Sequence, residues 1–306
     1  MLEIWEPGLL TTVQDGGRVG WARYGVPPSG PLDKAAFRAA NRLVGNPPDA
    51  AGLEITLTGP TLRCSRPSLV AVCGAEFELW AGSIRVPTWH AVFLRAGQWL
   101  YFGERRQGAR AYLAVDGGMD VPLFLDSRST YLTGGFGGVE GRALRRGDRL
   151  PLGPGALQPS MRAGRAWPAS ERPPYTSAPT LRVVLGPQDD HFTQAGLETF
   201  LSTAYELTPE TNRMGARLKG PPIQHRDTTG IVSDGVVIGS VQVPASGQPI
   251  VMLADHQTTG GYPKIATVIQ ADLPLLAQIV PGDYVRFDAV SLAEAQTLCC
   301  SSNAAH

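Results

Sequence analysis

Alternating hydrophobic and polar positions dominate the chain and predict a mainly β protein. Short runs rich in β-branched and aromatic residues recur along most of its length, and glycine, proline or aspartate separates them. The clearest runs are LEITLTGPTLRC, SLVAVCGAEFELWAG, ARAYLAVDGG, TLRVVLGP, GVVIGSVQVPASGQPIVMLA and DYVRFDAV. Runs of this composition, bounded by turn residues, are typical of short strands joined by tight turns.

One short pattern occurs three times along the chain. Residues 96–102 (AGQWLYF), 146–152 (RGDRLPL) and 281–287 (PGDYVRF) each place a glycine-polar turn before an alternating strand. Glycine supplies the positive φ that such turns often need. The occurrence of the pattern in both halves indicates either two related β-barrels or the chance recurrence of a common turn.

Helical periodicity is confined to a few short segments. The clearest is SGPLDKAAFRAANRLVGN, whose apolar residues form one stripe, with Ser29 or Asp33 as a candidate N-cap and Gly45 after its last turn. A second helix is predicted in DDHFTQAGLETFLS, with Asp189 or Asp190 as its cap. Two shorter helices are predicted in ADLPLLAQIV and SLAEAQTLCC.

A segment rich in proline, serine and arginine divides the chain. Residues 154–179 show no hydrophobic period and are predicted to be a linker. The chain is therefore predicted to consist of an N-terminal β-rich lobe (1–153) and a C-terminal β-barrel lobe (180–306). A chain of 306 residues is long enough to give each lobe its own core.

Composition and charge exclude several classes of partner. Lys plus Arg equals Asp plus Glu at 27 each, so the net charge of zero gives no footprint for nucleic acid or an anionic membrane. The longest uncharged stretch, 235–254, is interrupted by glycine and proline, which favours strands over a membrane helix. No signal peptide is recognised at the N-terminus, so a cytoplasmic location with reduced cysteines is expected.

Several motifs of known chemistry are missing from the sequence. The glycine-rich segment 133–142 (TGGFGGVEGR) lacks the Gly-Lys-Ser/Thr ending of a phosphate-binding loop, so a turn-rich segment is expected there. No Gly-x-Ser-x-Gly or His-Glu-x-x-His motif is present. The five histidines are scattered and the four cysteines lack zinc-ligand spacing, so no metal site is predicted.

The segment DHQTTGGYPK (255–264) is the strongest candidate for a functional loop. Asp255 follows a predicted strand, and Lys264 returns a positive charge after the pair Gly260 and Gly261. The double glycine allows the backbone to fold back or to approach a ligand closely. Asp255 and Lys264 are therefore expected to face each other over a pocket, the alternative being a solvated polar hairpin loop.

A second polar cluster lies in TNRMGARLKGPP (211–222). It contains Asn212, Arg213, Arg217 and Lys219. The planar fork of an arginine binds a carboxylate or a phosphate through two parallel hydrogen bonds. The cluster is consistent with an anion site, although taken alone it slightly favours a basic surface turn.

The segment 12–33 (TVQDGGRVGWARYGVPPSGPLD) is too rich in glycine and proline to form one regular element. It contains Gln14, Asp15, Arg18 and Arg23. Long ordered loops of this kind are frequently functional. The segment is predicted either to line a site or to form a β-corner between the lobes.

Taken together, these segments resemble one protein family. The sequences TTVQDGGR, GVPPSGPLDKAAFRAANRLVGN, LEITLTGP, GARAYLAVDGG, NRMGARLKG, IVSDGV, GSVQVPASGQPI and DHQTTGGYPKIA look like hallmark segments of the biotin-dependent carboxyltransferase family. This family is also called allophanate hydrolase subunit 2, and it includes KipA and the C subunit of bacterial 5-oxoprolinase. The resemblance extends from about residue 2 to residue 290.

The resemblance implies a fold, partners and a set of site residues. The implied fold is mainly β, with two cyclophilin-like β-barrel lobes and a few short helices. The implied partners are a KipI-like B subunit and a LamB/YcsF-type A subunit. The chain lacks a Met-Lys-Met biotin attachment site, so any biotin would come from another chain. Matching the family pattern indicates five substrate-contacting positions: Asn212, Arg213, Asp255, Gln257 and Lys264.

The resemblance implies ATP-dependent opening of 5-oxoproline to L-glutamate, with this chain as the C subunit and ATP shared with a partner protein. In that reaction Arg213 would bind the substrate carboxylate, Lys264 would stand near the developing oxyanion, and Asp255 would move protons. One alternative is carboxyl transfer to an amide or urea-like substrate with biotin supplied in trans. Another is a non-enzymatic, KipA-type antagonist of a kinase inhibitor.

Overall fold

The computed structural model describes residues 1–227 and 230–305. The chain forms two compact units. The first unit comprises Met1–Arg18 and Ser29–Pro174, and the second comprises Val19–Pro28 and the chain from Tyr175 onward. The mainly β class expected from the sequence is confirmed.

The boundary between the units differs from the sequence-based boundary in two places. Most of the predicted linker, up to Pro174, belongs to the first unit. Its backbone is hydrogen-bonded there: Gly164 N–H donates to the carbonyl of Ala91 and Ala91 N–H to the carbonyl of Arg165, both at 2.8 Å. Backbone pairing requires no hydrophobic period, so the sequence pattern did not indicate it. The second difference is Val19–Pro28, which belongs to the second unit.

The first unit contains one large sheet and one long helix. Its strands are β1 (Leu2–Glu6), β2 (Leu10–Gln14), β3 (Gly52–Thr56), β4 (Thr61–Cys64), β5 (Ser68–Ala81), β6 (Ile84–Val86), β7 (Ala91–Leu94), β8 (Trp99–Val115) and β9 (Arg149–Leu150). The helix is α1 (Lys34–Val44). These nine described strands have the order β2-β3-β8-β4-β1-β9, and β5 pairs with β6, β7 and β8. The buried faces of the long strands β5 and β8 supply much of the hydrophobic core.

Helix α1 begins and ends as its sequence predicts. The side chain of Asp33 accepts a hydrogen bond from Ala36 N, and Gly45 takes a left-handed conformation with a φ of 83°. Of the two candidate caps, Asp33 is therefore the N-cap. Asp33 is itself buried, and its backbone N–H donates to the hydroxyl of Tyr112 at 2.8 Å. This contact ties the start of the helix to β8.

The second unit contains a closed barrel and three helices in the described part of the chain. Its strands are β10 (Thr180–Leu185), β11 (Tyr205–Leu207), β12 (Gly215–Lys219), β13 (Asp234–Gly235), β14 (Ser240–Gln242), β15 (Ile250–Met252), β16 (Thr259–Gly260), β17 (Lys264–Val268) and β18 (Tyr284–Ala289). Its helices are α2 (Gln194–Ser202), α3 (Leu273–Leu276) and α4 (Leu292–Ala305). Seven of these strands form the barrel, in the order β10-β17-β14-β15-β12-β11-β18.

The barrel is closed by a parallel pair between β10 and β18. The short ladder of β13 with β16 lies outside the barrel order. None of the helices in the described residues is long and apolar enough to cross a bilayer.

The recurrent turn pattern has the expected local structure in all three places. Gly97, Gly147 and Gly282 have positive φ values of 73°, 90° and 96°, and each turn leads into a strand. The second helix, however, was predicted to start too early. Asp189 belongs to a separate 3-10 turn, and α2 is capped by Thr193, whose hydroxyl accepts from Gly196 N at 3.0 Å.

Candidate functional site

Arg213 and Asp255 form a buried ion pair in the second unit. Arg213 lies two residues before β12, and Asp255 lies three residues after its antiparallel neighbour β15. The backbone N–H of Asp255 donates to the carbonyl of Arg213, which places the two residues opposite each other. The Nε–Oδ2 distance is 2.9 Å and the Nη2–Oδ1 distance is 3.3 Å. The two side chains are only 5% and 2% exposed, so the fork of Arg213 is already filled by the carboxylate of Asp255.

Lys264 is another buried charged residue of this unit, and its partner is an exposed residue. Lys264 is the first residue of β17, and its Nζ donates to Asp234 Oδ2 at 2.6 Å and to the carbonyl of Gly235 at 3.0 Å. The lysine side chain is 3% exposed, whereas that of Asp234 is 54% exposed. The hydrogen bond from Lys264 is the main reason that the pKa of Asp234 lies below its ordinary value. A buried ammonium is thus held by a carboxylate that water already reaches.

Gln188 hydrogen-bonds to both members of the Lys264–Asp234 ion pair in the second unit. Its Oε1 accepts a hydrogen bond from the backbone N–H of Lys264 at 3.1 Å, and its Nε2 lies 3.4 Å from Asp234 Oδ2. The structure therefore gives Asp255 and Lys264 different partners, Arg213 and Asp234. That Asp255 and Lys264 face each other over one pocket stays a prediction.

Two glutamines meet beside Lys264. Gln257 Nε2 donates to Gln242 Oε1 at 3.2 Å, and Gln242 is 1% exposed. The other end of the Gln242 amide, Nε2, is buried and has no hydrogen-bond partner in residues 1–227 and 230–305. A buried donor without an acceptor costs about 1–3 kcal/mol, so such a group needs an explanation.

His256 lies between Asp255 and Gln257 in the chain, and its side chain is buried with one local contact. Its Nδ1 lies 2.6 Å from the carbonyl of Gln257. Burial is the main reason that the pKa of His256 lies below its ordinary value, while that hydrogen bond and the charge of Asp255 act in the opposite direction. Among the described residues there is no cluster of three or more His, Cys, Asp or Glu side chains that could hold a metal ion.

The remaining polar residues of the 211–222 segment lie on the surface. Asn212 is exposed, and its Oδ1 accepts from the backbone N–H of Met214 at 2.8 Å, which shapes the turn before β12. Arg217 and Lys219 are exposed residues of β12. Of this cluster, only Arg213 is brought into the buried network.

Three of the four candidates of segment 12–33, Gln14, Asp15 and Arg18, form a network in the first unit, whereas Arg23 is exposed and belongs to the second unit. Arg18 is 1% exposed, and its guanidinium donates to the carbonyls of Phe124 and Ser129 at 3.1 and 2.8 Å. Asp15 accepts hydrogen bonds from the hydroxyls of Ser127 and Ser129, both at 2.6 Å. These contacts fasten the loop that follows β2 to the chain around residues 124–129.

The glycine-rich segment lines a cleft of the first unit. The cleft has a volume of about 460 Å³ and is bordered by Val121–Phe124, Gly135–Gly141 and Arg149–Pro151. Phe136, in this segment, lies under the guanidinium of Arg18, with the ring centroid 5.1 Å from Cζ. The expectation of a turn-rich segment agrees with the turns and isolated bridges found there.

Three residues of the second-unit network, Gln188, Asp234 and Gln242, were not among the candidates from the sequence. Asp234 lies in the segment IVSDGV and Gln242 in GSVQVPASGQPI, and each is a single polar residue among many. The only signal for Gln242 is that it is a polar residue within the apolar run that precedes QPIVMLA. Nothing local distinguishes Asp234, because its contact with Lys264 joins residues that are thirty positions apart.

Comparisons with known proteins identify the family. The chain is 41% identical to the C subunit of 5-oxoprolinase from Escherichia coli (strain K12), over 96% of this chain and 93% of that protein. It is 37% identical to the C subunit of 5-oxoprolinase from Haemophilus influenzae, over 97% of this chain and 94% of that protein. The crystal structure of the K. lactis urea amidolyase matches with a TM-score of 0.92 and 32% identity, covering 99% of this chain and 19% of the enzyme.

A family model described as "Carboxyltransferase domain, subdomain A and B" matches residues 24–289. The resemblance expected from the sequence is therefore confirmed. The chain belongs to the carboxyltransferase domain family that comprises subdomains A and B.

Proposed function

We propose that the chain is the C subunit of an ATP-dependent 5-oxoprolinase, which opens 5-oxoproline to L-glutamate. The supporting observation is its similarity, over nearly the full length of both chains, to two proteins named as the C subunit of 5-oxoprolinase. The proposed complex is cytoplasmic and includes a KipI-like B subunit and a LamB/YcsF-type A subunit. ATP is shared with a partner protein in this proposal, and no biotin is attached to the chain.

The lactam of 5-oxoproline is an unreactive amide that needs activation. In the proposed reaction the lactam oxygen takes the terminal phosphoryl group of ATP, and water then attacks the ring carbon. ADP leaves in the first of these steps. The carbon–nitrogen bond then breaks as the ring nitrogen takes a proton, which gives an acyl phosphate, and a second water hydrolyses the acyl phosphate to L-glutamate and phosphate. This chemistry calls for fixed positive charge near the lactam oxygen and for a group that moves protons.

The buried network of the second unit contains groups of both kinds. Lys264 supplies a positive charge that the fold holds in place, and we assign it to the lactam oxygen. Asp255 is assigned to proton movement, with Arg213 orienting its carboxylate through the bidentate contact. Gln257 and Asn212 are kept as substrate contacts.

Carboxyl transfer is the second candidate function. It is favoured by the description of the matched family as a carboxyltransferase domain and by the structural similarity to a urea amidolyase. The same network would then hold an amide or urea-like acceptor, and biotin would come from another chain.

An assay of the assembled complex separates the two functions. The chain is purified alone, with its B-type partner, and with both partners, and ATP hydrolysis that depends on 5-oxoproline is measured. We expect the isolated chain to be inactive and the complete complex to be active. Substantial turnover by the chain alone would refute the need for partners. Failure of the complete complex, together with biotin-dependent carboxylation, would establish the second function instead.

Replacing Lys264 with methionine tests the site itself. Lys264→Met keeps most of the side-chain stem and removes the ammonium, so we expect turnover of the complex to fall by about 10²–10³. The unfolding midpoint should change little, because Asp234 is already half exposed and can be solvated. Lys219→Met, at an exposed position of β12, is the matched control. Near-normal turnover in Lys264→Met would remove the lysine from the site.

A further inference from the structure

Gln242 and Lys264 lie side by side on one face of the barrel wall. They are register partners on the antiparallel strands β14 and β17. Val241 pairs with Ala266, so a regular ladder would place Gln242 opposite Ile265, but a bulge shifts its partner to Lys264. Directly opposed residues of an antiparallel pair project from the same face, and a one-residue shift exchanges the faces. The bulge therefore sets Gln242 opposite Lys264 on the two strands.

Gln257 fixes the direction of this amide. Because Gln257 Nε2 donates to Gln242 Oε1, the NH₂ end of Gln242 is the end that points away from Gln257. That Nε2 atom is buried and finds no acceptor among the residues that the structure describes. Gln242, the cross-strand partner of Lys264, thus holds an N–H donor whose hydrogen-bonding capacity is unused.

Both described acceptors of the Lys264 ammonium come from one short strand. They are the carboxylate of Asp234 and the carbonyl of Gly235, the two residues of β13. Displacement of β13 would therefore release the ammonium from both contacts at once. Because the Asp234 side chain is half exposed, its carboxylate can exchange this contact for water.

The ribbon formed by β13 and β16 also covers the Gln242 amide. Asp234 pairs with Gly260 and Gly235 pairs with Thr259, so the ribbon is only two residue pairs long. A Cβ atom on Gly260 would lie 2.4 Å from Gln242 Nε2, which shows that the backbone passes directly over the donor. An isolated two-stranded ladder of this length is marginally stable and opens easily.

We propose that Lys264 Nζ and Gln242 Nε2 together form a two-donor site for the amide oxygen of the substrate, and that the β13–β16 ribbon is its movable cover. In the closed state the carboxylate of Asp234 takes only one of the two donors, the Lys264 ammonium. Opening of the ribbon withdraws Asp234 and leaves both donors to the substrate oxygen and to the negatively charged phosphoryl group that it takes. This inference rests on the proposed function for the identity of the substrate, and it adds Gln242 as a catalytic residue.

The first experiment removes the unused donor. Gln242→Met keeps the length of the side chain and deletes the amide, and we expect kcat of the assembled complex to fall by about 10²–10³ with KM nearly unchanged. The variant removes a buried donor without an acceptor and also the acceptor of Gln257 Nε2, which is partly exposed, so the unfolding midpoint should change little.

Gln248→Met is the matched control in the same unit. Both ends of the Gln248 amide bind the backbone of Gly220, at 2.8 and 3.0 Å. The control should lose about 2–4 °C in unfolding midpoint while keeping its turnover. A drop in midpoint for Gln242→Met as large as that for Gln248→Met would show a structural role and overturn the assignment.

The second experiment tests the cover without any enzymatic activity. The full-length chain is treated with acetic anhydride and then digested, and acetylation of Lys264 is measured by mass spectrometry. Asp234→Ala should increase the rate of Lys264 acetylation by at least about fivefold, because the carboxylate that holds the closed state is lost. Asp288→Ala, at an exposed position of β18, should leave the rate unchanged.

The two arms keep this inference separate from the proposed function. If the wild-type complex does not turn over 5-oxoproline, the proposed function fails, while the acetylation rates still decide whether the ribbon covers Lys264. Equal acetylation of Lys264 in the wild type and in Asp234→Ala would overturn the movable cover. Normal kcat in Gln242→Met of an active complex would overturn the two-donor site.

Discussion

In the first unit the buried guanidinium of Arg18 is bound by backbone carbonyls, those of Phe124 and Ser129. In the second unit the buried ammonium of Lys264 is bound by the half-exposed carboxylate of Asp234 and by one carbonyl. A backbone carbonyl is fixed by the fold, whereas an exposed carboxylate can move into water at little cost. The first arrangement therefore serves the architecture, and the second can be exchanged for a contact with a ligand.

Two buried glutamines differ in the same way. In the first unit, Gln14 Oε1 accepts from the backbone N–H of Gly30, and its Nε2 donates to the carbonyl of Thr130. In the second unit, Gln242 uses its Oε1 for Gln257, and its Nε2 has no acceptor within the described residues. Burial of polar groups alone therefore does not identify a site. What distinguishes Gln242 from Gln14 is hydrogen-bonding capacity that the described residues leave unused.

The largest expected effect sharpens the contrast within the second unit. Arg213 and Asp255 are both buried, whereas in the pair of Lys264 and Asp234 only the lysine is buried. Arg213→Met leaves the Asp255 carboxylate in a buried position without its guanidinium, so we expect a loss of about 3–5 kcal/mol in unfolding free energy. Urea unfolding measures this loss, and Lys264→Met should lose far less.

A double variant shows whether the loss comes from the unpaired charge. Arg213→Met combined with Asp255→Leu replaces the ion pair with apolar side chains of similar size, which is frequently neutral or stabilising. We expect the double variant to recover most of the stability that Arg213→Met loses. If the two losses simply add, the pair is not the source of the effect.

The second prediction concerns the first unit and its polar network. Asp15→Ala removes the acceptor of Ser127 and Ser129 and of the backbone N–H of Arg128. We expect the unfolding free energy to fall by about 2–3 kcal/mol, while kcat of the folded complex stays close to that of the wild type. Asp120→Ala is the control, because Asp120 also binds Arg128 but is mostly exposed. A fall in kcat without a loss of stability would place the Asp15 network in a site and break the comparison.

Local features of the fold could be predicted from the sequence. The three glycine turns and the cap of α1 depend on residues close together in the chain, and each formed as expected. The unit boundary could not be predicted in the same way. Val19–Pro28 belongs to the second unit although both flanking segments belong to the first. No pattern within the sequence of this segment indicates that it belongs to a different unit from its neighbours.

The site was predictable only in part for the same reason. The loop 255–264 stood out because its polar residues interrupt two apolar segments. Its contacts, however, join Asp255 to Arg213 and Lys264 to Asp234 across 42 and 30 positions. The partner of Gln242 depends further on one bulge in β14 and β17, and a bulge has no reliable signature in a single sequence.

The smallest expected effect concerns His256, which lies between Asp255 and Gln257, and how its burial makes stability depend on pH. The pKa of His256 lies below its ordinary value of 6.5, mainly because burial disfavours the charged ring. Below about pH 6.5 the ring is protonated in the unfolded state but not yet in the native state, so the native state binds fewer protons. Stability therefore falls as the pH decreases from about 6.5 towards the lower pKa of the folded state. His256→Gln keeps a donor for the Gln257 carbonyl and removes the titration. Between about pH 7.5 and about pH 5.5, the wild type should lose more unfolding free energy than this variant, whereas His191→Gln, at an exposed position, should follow the wild type. Identical losses in all three proteins would mean that burial of His256 contributes nothing to the acid sensitivity of the second unit.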